Sequence, residues 1–274
     1  MTLSNILSLV IIICIVTIFI LSIKDQIKIQ NELNNSKYKI YTFDNGYGYI
    51  NHKRITIDDV KSYRNLPDNN NLYYNAALMS LNEFDYNPNY LFGAIILQWI
   101  KNGIITLDNN NSIYLTKQQQ FENVFEEKLF SNLQKASKNN ILEENELKSW
   151  VKSNYYSFYD ILMLLTNSEI KKLREANHIK PMNKSYVMDE EIYNDSVKLL
   201  GLKKYLMNFS SINEKEINDV HIWEDYLIYA NLFGIADRIN KKMQNHYPNL
   251  SEYSNIDRFV AGVLAVLFVT SNND

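Results

Sequence analysis

HIWEDYLIYANLFGIADRI, residues 221–239, sets an imidazole, an indole, two adjacent carboxylates and two phenols within nine positions. It reads either as an active site or as the buried side of a helix. On a helical projection Ile222, Trp223, Tyr226, Leu227, Tyr229, Ala230, Phe233, Gly234 and Ala236 share one half of the wheel. Glu224, Asn231 and Arg238 point the other way, with Asp225 at the border. A broad apolar and aromatic stripe with charges opposite is the pattern of a helix laid on a core. A paired-carboxylate hydrolase needs two carboxyl groups converging on one atom. Neighbours on a helix diverge by about 100°, so Glu224 and Asp225 read as surface charges. His221 stands near the helix start, behind an acidic cap at Asp219, with no His or Cys at ligand spacing.

The wider composition agrees with helices. Seven glycines and four prolines in 274 residues are too few for a turn-dense all-β sandwich. A 46% hydrophobic content is enough to build real cores. The 28 basic and 31 acidic residues leave a net charge of -3, so no global field recruits nucleic acid or an anionic surface. The single cysteine, Cys14, lies in an apolar run, where it has no disulfide partner and its thiolate is disfavoured. His52, His178, His221 and His246 stand far apart, with no H-x-x-x-H or H-E-x-x-H pattern. Nucleophile-elbow, phosphate-loop and kinase signatures are missing too. No residue is assigned a catalytic, cofactor-binding or metal-binding role, and no cofactor is expected.

The amino terminus carries the clearest single signal. From Leu3 to Ile23 the chain reads LSNILSLVIIICIVTIFILSI without a charge. At about 1.5 Å per residue this is just long enough to cross roughly 30 Å of hydrocarbon. No basic stretch precedes it and no small-x-small site follows, so an uncleaved anchor is expected over a signal peptide. Lys24, Lys28, Lys37 and Lys39 follow the run and no Lys or Arg precedes it. Positive-inside logic puts the amino terminus outside and the rest in the cytoplasm, a single-pass plasma-membrane protein. A second apolar run, Phe259 to Val269, is too short to span and reads as core, as a docking surface or as a segment that re-enters the membrane.

Five segments are expected: an anchor over 1–23, a linker over 24–37, a winged-helix-like α+β unit over 38–118, a helical spacer over 119–180 and a helical domain over 181–274. Lys39 to Phe43 and Tyr47 to Ile50 flank Asp44-Asn45-Gly46 as a β-hairpin. Thr56 caps a helix over Ile57 to Tyr63, Leu72 to Leu81 forms a second, and Asn87-Pro88 opens a third that runs to Asn102 and stops at Gly103. Ile104 to Leu107 and Ser112 to Thr116 are β-like runs placed as a wing. The helix that would enter a DNA groove carries one cation, Lys101, and charges across 37–118 nearly cancel, eight basic against seven acidic. Nucleic acid is therefore not the expected partner.

From Phe121 to Ile179 the pattern is almost wholly helical, with a break at Lys138-Asn139-Asn140. Its last helix spans Tyr155 to Ala176, and Pro181 is read as its end. Asp189 caps a helix through Tyr205 that leads towards the quoted stretch.

Gly201-Leu202-Lys203, Tyr205, Phe209-Ser210, Trp223 to Leu227, Tyr229-Ala230 and Gly234-Ile235-Ala236 carry a further signal. They resemble the "GLKxYI…S…WExYLPYAxALGIA" segment of a predicted bacterial membrane protein family, domain of unknown function 2207. Leu66-Pro67 and AIILQWIKNGIITL, residues 94–107, look like that family's cytoplasmic helical unit. The resemblance covers residues 64–240 loosely and 199–239 closely. It implies a shortened, single-span relative that lacks the family's large extracytoplasmic domain and additional membrane helices, and it brings no catalytic residues.

The fold class expected is mainly α: an N-terminal transmembrane helix, a small β-hairpin and winged-helix-like unit, then a helical C-terminal domain. The function expected is a membrane-anchored cytoplasmic interaction or scaffold module, held in the bilayer through Leu3 to Ile23 and binding a protein partner or itself. A membrane-bound winged-helix regulator contacting nucleic acid is the alternative, and a hydrolase of unrecognised type the third reading.

Overall fold

Asn71 and Asn87 start the first two helices of the body by the same device, a side-chain oxygen that takes amides of the first turn. Asn71 Oδ1 accepts from the Tyr73 and Tyr74 amides at 2.9 and 3.1 Å, and Asn87 Oδ1 from Asn89 at 2.9 Å. The computed structural model describes residues 11, 15–24, 27, 57–82, 84, 86–107, 112–115, 121–182, 185–208, 220–236 and 238–239. Within these, helix α1 covers residues 15–24, α2 Leu72–Leu81 and α3 Pro88–Lys101. Pro88 opens α3, where its missing N–H costs nothing, and Gly103, at φ 66°, stops it. Both body helices appear where the sequence places them.

The side chains of Ile15, Val16, Ile18, Phe19, Ile20, Leu21 and Ile23 on α1 are exposed. Among the described residues no helix is long and apolar enough to cross a membrane, so the span expected over Leu3 to Ile23 is not established. The hairpin expected over residues 39–50, the Thr56 cap and the run Phe259 to Val269 lie outside the described residues.

Three expectations change. Residues 57–60 form a turn and bend and 61–64 have no regular structure, where a helix was expected over Ile57 to Tyr63. Their polar backbone finds partners elsewhere: the Asp58 and Val60 carbonyls accept from Lys204 Nζ, the Arg64 carbonyl from Tyr226 Oη, and the Tyr63 amide donates to the Gly201 carbonyl. The β-like runs do pair, Thr106–Leu107 (β1) with Ile113–Tyr114 (β2), but a third strand, Ile141–Leu142 (β3), completes the antiparallel sheet in the order β1-β2-β3. It arrives from the break at Lys138 to Asn140, where Asn139 and Asn140 take φ 53° and 61°. Finally, Pro181 does not end a helix. The helix before it stops at Glu175, with Asn177 at φ 58°, and Pro181 lies in a two-stranded hairpin of Ile179–Met182 (β4) and Ser185–Met188 (β5).

The remaining helices are α4 (Val124–Ala136), α5 (Glu144–Ser153), α6 (Tyr155–Glu175), α7 (Glu190–Met207) and α8 (Val220–Leu232). Asp189 caps α7 as expected, accepting the Ile192 amide at 3.2 Å. Among the described residues the fold is thus mainly helical with two small antiparallel sheets. The long α6 turns Phe158, Ile161, Leu162 and Leu165 inwards and packs on α2, α3 and α4. Helix α3 lies along α8, and α2 also touches α7. This packing runs across residues 118 and 180, joining buried side chains from Val60 to Ile239 in one core. The helix proposed for a DNA groove is this core's central strut: Leu91, Phe92, Ala94, Ile95, Ile96 and Trp99 are fully buried.

Candidate functional site

The quoted stretch and the GLKKY run meet as α8 and α7, and their polar atoms do structural work. Tyr226 and Tyr229 are buried on α8, and each hydroxyl finds a partner, as a buried phenol must. Tyr226 Oη donates to the Arg64 carbonyl at 2.9 Å. Tyr229 Oη donates to Asn70 Oδ1 at 3.2 Å and accepts from Asn75 Nδ2 at 3.1 Å. Burial pushes the Tyr226 phenol up. Burial first, then the Asp225 carboxylate, does the same at Tyr229. Both phenols therefore stay protonated at neutral pH and act as hydrogen-bonding groups.

Beside Tyr229, the C-terminal end of α3 and the face of α8 enclose a shallow polar hollow. Asn70, Gln98, Lys101, Asn102 and Asp225 line it, with Ile228 at its apolar side. Asp225, at the border of the helical projection, forms an ion pair with Lys101 across the rim. Glu224 lies next to it in sequence and half-buried. The hollow thus offers amides and a neutralised ion pair, groups suited to holding water or a small polar molecule. Asn231 corrects the wheel: it is 3% exposed, and its Nδ2 bonds back to the Leu227 carbonyl at 3.1 Å. Packing of α3 along the helix covers the side that periodicity assigned to solvent.

The tryptophans divide in the same way. Trp99 is fully buried, packs on Phe121 and Phe130 with centroids 5.7 and 5.4 Å away, and donates its indole N–H to Glu126 Oε1 at 2.7 Å. Burial pushes the Glu126 carboxyl up, against the indole bond, which holds it down. Trp150 meets Phe158 edge-on at 6.1 Å. The side chains of His221 and Trp223, and all of Cys14, His52 and His246, lie outside the described residues.

One constellation has no counterpart in the sequence patterns. His178 Nδ1 stands 2.8 Å from Asp189 Oδ2 and 3.9 Å from Glu191 Oε2, and the three ligand atoms lie within 4.8 Å of one another. Asp189 already caps α7 through Oδ1, and its amide donates to the His178 carbonyl at 3.0 Å. The group closes the β4-β5 hairpin onto α7. Only the hairpin brings positions 178 and 189 together, so no spacing rule could find the pair.

The family model for the C-terminal domain of a predicted membrane protein family, domain of unknown function 2207, matches residues 183–243. This stretch contains β5, α7 and α8 and the run from Gly201 to Ala236 that carried the closer part of the resemblance, whereas Leu66-Pro67 and residues 94–107 lie outside it. No curated protein and no solved structure matches the chain.

Proposed function

We propose that the chain is a membrane-anchored interaction or scaffold module, held by Leu3 to Ile23 in a single pass with its amino terminus outside and its body in the cytoplasm. The observation that carries the reading is α1, whose residues 15–23 carry no charge and whose large apolar side chains are exposed. A helix apolar on every side is a buried or lipid-embedded helix. The matched family's description as a membrane protein supports the same reading, and Lys24, Lys28, Lys37 and Lys39 support the direction. The body acts by binding, without catalysis: Asp225, Tyr226, Tyr229 and Trp99, its most reactive-looking groups, are held in structural contacts.

Two measurements test this. Alkaline carbonate should leave the full chain in the membrane pellet, and release into the supernatant would refute the anchor. In a Cys14→Ser/Ser157→Cys variant, an impermeant maleimide should label the body only after lysis, and labelling in intact cells would reverse the topology. The partner surface is assigned to the run Phe259 to Val269. Pull-downs from membranes with the full chain and with a chain ending at residue 255 should differ, and equal recovery would remove that surface.

A further inference from the structure

Gly201 lies in the middle of α7, where a glycine weakens a helix. Its surroundings supply the reason. A Cβ built there would stand 2.5 Å from Tyr63 Cδ2 and 2.6 Å from the Lys61 carbonyl oxygen. The segment after the N-terminal linker crosses α7 at that bare position. Four of the hydrogen bonds that hold it use its backbone. The Tyr63 amide donates to the Gly201 carbonyl at 3.0 Å. Lys204 Nζ donates to the carbonyls of Asp58 and Val60 at 3.1 and 3.0 Å. Tyr226 Oη, from α8, takes the Arg64 carbonyl at 2.9 Å. Val60 is buried beneath, while Lys61, Ser62 and Tyr63 remain exposed.

We propose that residues 58–64 are a strap, docked on α7 and α8, that makes the family-matched helices the point where the membrane tether leaves the body. This rests on the membrane-anchor reading above. Without docking, the tether would leave near Leu66-Pro67, which stay packed on the body while Asp68 pairs with Lys198 and Asn70 with Tyr229. Residues 57–64 would then become free chain, up to roughly 27 Å when fully extended. Docking therefore shortens the chain between bilayer and body and brings its end to the face of α7 and α8. Four of these contacts engage main-chain atoms, so the strap depends on an unhindered Gly201 and a cation at Lys204 as well as on buried Val60. Loss of a few such bonds frees the segment locally without opening the core.

The test uses the full chain in nanodiscs, with Cys14→Ser and a donor dye on Ser157→Cys, against a headgroup acceptor. Gly201→Val fills the crossing point, and Lys204→Met removes two carbonyl contacts while leaving α7 intact. Each variant should speed exchange of the Tyr63 amide by about tenfold or more, and should lower and broaden energy transfer to the bilayer. If Gly201→Val fails to fold, Lys204→Met alone decides. Unchanged exchange in a folded variant overturns the strap, and faster exchange with unchanged transfer overturns its role in placement. Failure of the wild type to enter nanodiscs refutes the anchor reading instead, and the exchange measurement still reports whether the segment docks.

Discussion

Gly234 takes φ 69°, and the ring of Tyr90 stands 2.4 Å from where its Cβ would be. Two penalties meet there, a left-handed backbone and an aromatic ring with α3 behind it. Gly234→Ala should therefore lose about 1–3 kcal/mol, read as a lower urea midpoint with an unchanged slope. Glu126 makes a prediction in pH. Its carboxyl is raised by burial above the ordinary 4.5, so the folded state holds this proton more tightly than the unfolded chain. Its contribution is fully present below the unfolded value and fades as pH rises through the folded one. Glu126→Gln, which keeps an acceptor for Trp99, should flatten the fall in stability with pH just above 4.5, measured by melting across that range. Equal slopes in both proteins would show that Glu126 does not set this dependence. At this scale the sequence was half legible. That Tyr226 and Tyr229 are buried followed from their spacing, whereas Glu126 under Trp99 and His178 beside Asp189 did not, because those contacts join different elements.

Helices announced themselves because their signals are local. Asn87-Pro88 and Asp189 act on amides two or three residues away and were legible in the chain, whereas the Asn71 cap, set in an Asn run that reads as loop, emerged only in the structure. Asn71→Ala should cost about 1 kcal/mol by removing two amide contacts, measured by chemical denaturation. The short strands were harder to see. β3 has two residues, and β4 contains a proline, tolerable because a two-stranded hairpin has only edges. Gly201→Ala separates local from tertiary effects. Helix propensity alone predicts a gain of about 0.5–1 kcal/mol, and the Tyr63 and Lys61 contacts predict a loss. A lower melting temperature is expected, and a higher one would mean that the 58–64 segment is not seated on α7.

Across the molecule, one buried cluster joins side chains from Val60 to Ile239. With α6 gripping α2, α3 and α4, and α3 laid along α8, no group of helices keeps a separate core among the described residues. The body should melt in a single transition whose calorimetric and van't Hoff enthalpies agree, and two resolved transitions would favour the segmented organisation read from the chain. The sequence by itself determined the helical class, most helix starts, the apolar amino terminus and the buried aromatic face of α8, since capping and periodicity are written within a few residues. Tertiary structure alone decided that residues 57–64 are no helix, that β3 completes the sheet, that Asn231 is buried and that Gly201 is a crossing point. Each of these depends on which distant backbone or side chain competes for the same atoms or the same space, and no local pattern records that competition.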